Sequence, residues 1–159
     1  MILTWTGVDP GLVDAGLVTI TLNNENRSIH VMATALRNTD AETVADYLTN
    51  SQELGAVFVE KYLDRGTTFS TNSEMREFET LLKKLVPSIV LLNNTGVKQV
   101  VKDDMLRRLH CYDFPTTRQR DLQAAARIGT YGALKDPAAN SLIYQCLIDD
   151  VRGKPWRTL

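Results

Sequence analysis

The sequence ILTWTGVDPG occupies residues 2–11 and begins the pattern of strands that decides the fold. Residues 2–8 mix β-branched and aromatic side chains, which are enriched in strands. The proline and glycine at positions 10 and 11 cannot continue a ladder of strand hydrogen bonds. We therefore predict a strand over residues 2–8 that ends in a tight turn, with Asp9 at its end.

Three further elements complete the first half of the chain. Residues 16–22 and 28–35 alternate in polarity around the asparagine-rich residues 23–26, which predicts a hairpin and hence three antiparallel strands in all. The form Thr39-x-x-Glu42 is a capping box and predicts a short helix. Residues 56–60, AVFVE, form a continuous apolar run ending in a carboxylate, as in a buried parallel strand.

Helices and strands alternate in the second half. A second capping box, Thr71-x-x-Glu74, opens a helix that ends before Pro87. Its predicted inner face comprises Met75, Phe78, Leu81, Leu82 and Leu85. Residues 88–92 are a predicted buried strand, and residues 97–109 a basic amphipathic helix whose inward residues are Val97, Val100, Val101, Met105 and Leu109.

The last third predicts two helices and a polar tail. A helix beginning at Asp121 is rich in small residues, which would let it lie close against a sheet. A final helix runs over residues 137–150, and Trp156 lies in the tail. Three antiparallel strands followed by strands separated by helices predict an α/β fold with a mixed five-stranded sheet, three antiparallel then two parallel strands, and helices on both faces.

Length and composition favour a single domain over residues 1–159, since 159 residues with 43% hydrophobic content suit one core. We find neither a membrane span nor a secretory signal and expect a cytoplasmic protein. The two cysteines, Cys111 and Cys146, lack the spacing of a zinc site or a disulfide framework.

Charge is distributed unevenly although the net charge is only −1. Two arginines and eight acids give residues 1–60 a charge of −6, whereas 16 bases and 11 acids give the remainder +5. The basic side chains that would neutralise phosphates are Lys98, Lys102, Arg107, Arg108, Arg118, Arg120 and Arg127. Solvated helix faces explain the same pattern equally well.

Three acids stand at predicted element ends. Asp9 and Glu60 end two strands, and if those strands are parallel neighbours their carboxylates emerge at one sheet edge. Two carboxylates at such a short distance repel each other unless they share a divalent cation. Mg²⁺ prefers oxygen ligands of this kind. Asp121 would complete a catalytic site for two Mg²⁺ ions, with Mn²⁺ as a substitute. A turn role for Asp9 and a capping role for Asp121 remain open.

These motifs resemble those of a known family. Residues 7–11, GVDPG, followed by AGLV at 15–18, resemble the first motif of RuvC-type Holliday-junction resolvases of the RNase H-like superfamily, and FVEK at 58–61 resembles the second. Residues 121–126, DLQAAA, resemble the start of their last helix. The resemblance implies an RNase H-like fold and a Mg²⁺-dependent endonuclease that binds four-way DNA junctions as a homodimer. It further implies a phage-like member that works in the host cytoplasm.

One position departs from the family pattern. A His or Asp often stands three residues before the final carboxylate, where this chain has Arg118. Either Arg118 contacts the phosphate, another acid such as Asp14 contributes, or three carboxylates suffice. The predicted DNA contacts are Lys61, Tyr62, Arg65, Lys98, Arg118 and Arg120. Phe69 is expected to act as a hydrophobic staple or to stack on a base.

Two other functions compete with the nuclease. The first is a non-cleaving junction-binding protein on the same scaffold, suggested by Arg118. The second is a phosphotransfer protein of the actin and hexokinase type, which needs a second such domain that this length does not provide.

Overall fold

A computed structural model describes residues 1–37, 39–62 and 69–159, with the side chains of 69–71 left out of the description. The strands are β1 (Ile2–Asp9), β2 (Asp14–Asn23), β3 (Ser28–Arg37), β4 (Ala56–Glu60), β5 (Val90–Leu92) and β6 (Arg157–Thr158). The helices are α1 (Ala41–Asn50), α2 (Phe69–Leu85), α3 (Val97–Val100), α4 (Asp103–Arg108), α5 (Gln119–Ala133) and α6 (Pro137–Val151).

The described residues form one six-stranded sheet in the order β5-β4-β1-β2-β3-β6. β1, β2 and β3 are antiparallel neighbours, and β4 and β5 run parallel to β1. The predicted mixed sheet is therefore confirmed. In the described part of the chain, no helix is long and apolar enough to cross a bilayer.

The sixth strand is an addition to the predicted five. β6 pairs in parallel with the start of β3, where Ser28 lies opposite Arg157. Trp156 anchors this tail because it is 3% exposed and its indole nitrogen donates to Asp149 Oδ2 at 2.9 Å. A two-residue strand is too short to leave an alternating pattern, so the sequence predicted only a polar tail.

Helices cover both faces of the sheet, as predicted. Trp5 and Ile20 pack with α5 and α6 on one face. Val8 and Leu17 pack with α1 and α2 on the other. The alternation of Trp5 and Val8 between the two cores follows from the two-residue period of a strand.

The small residues of α5 let it approach β1 at backbone distance. A Cβ atom added to Gly7 would lie 1.8 Å from the Ala125 carbonyl oxygen, and one added to Gly129 would lie 2.7 Å from the Gly7 nitrogen. Both values are far below van der Waals contact, so neither position admits a side chain without moving the helix. α5 also begins at Gln119, two residues before its predicted start.

The predicted helix over residues 97–109 is wrong, because the chain forms two short helices, α3 and α4, there instead. Arg127 of α5 stabilises the break: its guanidinium donates to the Val101 carbonyl oxygen and to Asp103 Oδ1. Because of the break, one side chain that was predicted to face the core faces solvent instead. Val100, predicted to point inward, is 47% exposed, whereas Val101 is buried.

Two helix starts and one helix face differ from prediction. Asp40, not Thr39, caps α1 and accepts from the Thr43 amide at 2.8 Å. The Thr39 hydroxyl instead donates to the Gly11 carbonyl at 3.0 Å and so ties α1 to the turn after β1. α2 begins at Phe69 rather than near residue 71, and Leu81 and Leu85 on its predicted inner face are exposed.

Candidate active site

Asp9 and Glu60 meet at one edge of the sheet. Val8 of β1 lies opposite Val59 of β4 in parallel register, so the residues that end the two strands emerge side by side. Their carboxyl groups lie close enough to interact both by charge and by a side-chain hydrogen bond. We predicted this proximity on the condition that β1 and β4 are parallel neighbours, and they are.

The electrostatics of this pair are unfavourable to two negative charges. Burial, and then the charges of Glu60 and Asp121, raise the pKa of Asp9 to about 8. A hydrogen bond between two carboxyl groups requires a proton, and two groups this close titrate as a pair. The pair is therefore held together by a proton when nothing more positive is bound.

Asp121 joins the pair from the first turn of α5. Gly16 of β2 permits this approach, since a Cβ there would lie 2.6 Å from the Asp121 carbonyl oxygen and 3.2 Å from its Cβ. Arg118 holds the N-cap position of α5 and makes no side-chain capping bond. The negative charge of Asp121 helps to raise the pKa of Asp9.

The donor chemistry fits a divalent cation. Three carboxyl groups supply oxygen ligands of the type that Mg²⁺ and Mn²⁺ take in proteins, and a cation would relieve the repulsion that burial intensifies. In the described ranges, however, no three Asp, Glu, His or Cys side chains already stand close enough to hold a metal ion together. Asp9 and Glu60 are in contact, so Asp121 is the side chain that would have to move toward them.

Asn94 is a site residue that the sequence analysis missed. It follows β5, the parallel neighbour of β4, and its side-chain amide donates to Glu60 Oε1. The signal was available, because Asn93 and Asn94 directly follow a predicted buried strand at the same sheet edge. Asn94 fixes the orientation of the Glu60 carboxylate from the side opposite Asp9.

A cavity of about 200 Å³ opens at this acid pair. Its lining residues are Asp9, Pro10, Glu60, Lys61, Tyr62, Met75 and Asn94. Lys61 is the lining cation and is exposed to solvent. The cavity thus joins a carboxylate pair to a basic side chain at the sheet edge.

Arg118 forms an ion pair with Asp14. The Asp14 side chain is 7% exposed and that of Arg118 is 39% exposed, so the acid is buried and the guanidinium reaches solvent. Asp14 therefore has a protein cation as its partner, which weakens its case as an additional metal ligand. Arg118 keeps an exposed side from which it can meet a phosphate.

The predicted DNA contacts fall into three groups. Lys61, Lys98 and Arg120 are exposed, and Arg118 is half-buried. Tyr62 is half-buried and bound to α2: its hydroxyl donates to Asn72 Oδ1 at 2.6 Å, and its backbone amide donates to Glu79. Arg65 lies outside the described residues, as does the side chain of Phe69.

Glu79 is the second residue that the sequence did not single out. Burial raises its pKa, against the Tyr62 amide and the charge of Lys61, which lower it. Because Glu79 is buried in α2 and Tyr62 follows β4, this contact fixes the chain as it leaves the acid pair.

Comparison with known proteins shows which fold this chain has. No protein-family model matches the chain, and no curated protein matches its sequence. Among solved structures, it resembles Thermus thermophilus RuvC in complex with a Holliday junction substrate, with a TM-score of 0.59 and 13% identity over 80% of this chain and 90% of RuvC. It also resembles the fowlpox virus resolvase solved with Holliday junction DNA, with a TM-score of 0.55 and 16% identity over 89% of this chain and 99% of the resolvase. The chain therefore has the RNase H-like fold of these two resolvases, as its motifs predicted.

Proposed function

We propose that the protein is a divalent-metal-dependent endonuclease that cuts four-way junctions or other branched DNA. The observation that carries the proposal is the pairing of Asp9 with Glu60 at one sheet edge, with Asp121 near enough to act on Asp9 by its charge; burial and like charge raise the pKa of Asp9 to about 8. Strained acid clusters of this kind concentrate at functional sites. The likeness of the fold to two resolvases solved with junction DNA supports the choice of substrate.

In this proposal Asp9, Glu60 and Asp121 hold Mg²⁺, or Mn²⁺ in its place, as two ions. When bound, the metal supplies Lewis acidity and positive charge at the scissile phosphate for attack by water. Asp9 and Glu60 would release the proton they share to solvent, so that both carboxylates would be available as ligands. Asn94 would keep Glu60 oriented during this exchange, because its amide donates to Glu60 Oε1.

Basic side chains around the acids hold the DNA. Lys61 lines the cavity at the acid pair, and Arg118 and Arg120 stand at the start of α5, next to Asp121. Contacts of this type bind phosphates without reading sequence, and their affinity falls as salt rises. Tyr62, Arg65 and Lys98 complete the proposed DNA-binding set, and a homodimer would present two such sites to two strands.

The proposal is tested by gel-resolved cleavage of a labelled four-way junction beside matched duplex and flap DNA, with Mg²⁺, Mn²⁺ or EDTA. We expect paired symmetric cuts on the junction that vanish in EDTA and in Glu60→Gln. Glu53→Gln removes the charge of an exposed acid and serves as the matched control, with wild-type cleavage. Equal cutting by wild type and Glu60→Gln would refute the assignment of the site.

One observation favours the second candidate, a junction-binding protein that does not cut. Arg118, which stands where the resemblance expects a ligand, is committed to Asp14. Such a protein would shift the junction on a native gel and leave its strands intact at every metal concentration. Light scattering on the same samples, with and without DNA, tests whether the protein is a homodimer.

A further inference from the structure

A second cavity adjoins the acid pair on the side away from Asp9. Its volume is about 340 Å³ and it lies between α5 and the segment that leads from β5 into α3. Its lining residues are Glu60, Asn94, Gly96, Val97, Lys98, Gln99, Ala124, Arg127 and Ile128. Glu60 and Asn94 line both cavities, so the hydrogen-bonded pair forms the wall between them.

The floor of this cavity is apolar and rigid. Val97 and Ile128 are buried and pack with Leu92, which belongs to the sheet. Arg127 holds the adjoining break between α3 and α4 through its bonds to the Val101 carbonyl and Asp103. A flat apolar ligand therefore meets a preformed surface, as is usual for small-molecule sites of this size.

The rim carries amides and one available cation. Asn94 and Gln99 each present a side-chain amide, and Lys98 is exposed beside them. Within the described parts of the chain, the side chains of Lys98 and Gln99 have no hydrogen-bond or ion-pair partner. Arg127 is neutralised by Asp103, which leaves Lys98 as the lining cation for a ligand.

This combination suits a nucleobase better than a phosphate. A phosphate group favours several charged donors, whereas an apolar floor with amide edges matches the faces and edges of a base. We infer that this cavity binds a single nucleobase of the DNA strand next to the scissile phosphate, and that Gln99 reads the edge of that base. The inference rests on the proposed function, since it places the base beside the Glu60 at which the strand is cut.

The test begins by mapping the cuts on a four-way junction. The nucleotide on each side of the cut is then changed to each of the four bases and to an abasic site, and kcat/KM is measured. We expect wild type to discriminate among the bases at one of these positions by about 5- to 150-fold, the range of a good amide contact. The abasic substrate should be among the poorest at that position.

Two variants probe the cavity itself. Gln99→Ala should cut the four substrates at nearly equal kcat/KM, and Ala124→Met, which fills the cavity, should do the same. Gln145→Ala alters an exposed glutamine on α6 and serves as the matched control, with the wild-type preference. Circular dichroism of each variant verifies that it is folded.

The outcomes separate this inference from the nuclease proposal. Junction cleavage that is equally fast with every base and with the abasic site overturns the base pocket and leaves the nuclease standing. If no DNA is cut, junctions in which the nucleotides at the branch point carry each of the four bases or an abasic site are compared by Kd in EDTA: a base preference that Gln99→Ala removes supports the pocket while the nuclease fails. Binding without base preference overturns both.

Discussion

Asp9 and Asp14 lie at the two ends of one turn, yet they meet opposite surroundings. Asp14 begins β2 and is paired with the guanidinium of Arg118. Asp9 ends β1 beside another acid, Glu60, and burial together with the charge of Glu60 raises the pKa of Asp9 to about 8. The fold supplies a cation to one aspartate and like charge to the other, so positive charge for Asp9 has to come from a proton or a ligand. The role of a buried acid is therefore best inferred from the charge of the group beside it.

The largest expected effect is a difference in junction cleavage between variants of the two aspartates. Asp9→Asn should lower the single-turnover rate of junction cleavage by more than about 100-fold, since losing even an outer partner of a metal ligand lowers activity by 10–100-fold. Asp14→Asn should stay within a few-fold of wild type, because Arg118 rather than a metal is its partner. Comparable losses in the two variants would remove the distinction between them.

The second effect concerns pH and the metal-free protein. The folded pKa of Asp9, about 8, lies above its ordinary value of 3.8, so the folded state binds more protons than the unfolded state between these values. The contribution of Asp9 to the free energy of unfolding therefore falls as pH rises from about 4 to 8. In EDTA at pH 8, Asp9→Asn should raise Tm by about 5–10 °C, given roughly 2–4 °C per kcal/mol for this size. Calorimetry at pH 5 and pH 8 checks this, and an Asp9→Asn protein that melts below wild type at pH 8 would contradict it.

A third effect concerns the residue that orients Glu60. Asn94→Ala should weaken Mg²⁺ or Mn²⁺ binding by about 10–100-fold, as is typical when a ligand loses its hydrogen-bonding partner. Asn93→Ala is the control, because Asn93 is exposed and its side chain accepts only from the Thr95 amide among the described residues. The metal-induced rise in Tm measures the affinity without relying on cleavage. Equal metal affinities in the two variants would show that Asn94 has no such role.

The smallest effect falls on the Asp14–Arg118 pair. Asp14→Asn should lower the free energy of unfolding by about 1–2 kcal/mol, between the values for exposed and buried ion pairs, because only the acid is buried. Urea unfolding of Asp14→Asn, Arg118→Gln and the double variant gives the coupling energy. Strict additivity of the two single changes would mean that the pair contributes nothing.

Much of the fold was predictable because its signals are local. The strand before Asp9 and the hairpin after it follow from residue type and alternation. The small residues of α5 predicted its close approach to the sheet, which Gly7 and Gly129 now explain at atomic distance. The proximity of Asp9 and Glu60 was predicted on the condition that their strands are parallel neighbours, and the pairing of β1 with β4 meets that condition.

The remaining features depend on contacts between distant residues. The break between α3 and α4 is stabilised by Arg127, which lies 26 positions after Val101 and whose contact leaves no mark on the local pattern. β6 depends on the docking of Trp156. The ion pair of Arg118 with Asp14 joins residues 104 positions apart. The sequence therefore showed that Arg118 departs from the family pattern but could not show which residue it pairs with. Asn94 was within reach, but only by extending to β5 the strand-end argument used for Glu60.

The most direct test of the central claim, that the acid pair of β1 and β4 is a cation site, is calorimetric titration of Mn²⁺ into metal-free protein. Titrations at pH 7 in two buffers of different ionisation enthalpy also count the protons released. We predict that wild type binds Mn²⁺ and releases close to one proton, whereas Asp9→Asn binds weakly and releases none. Identical binding by the two proteins, or no binding by wild type, would contradict the account.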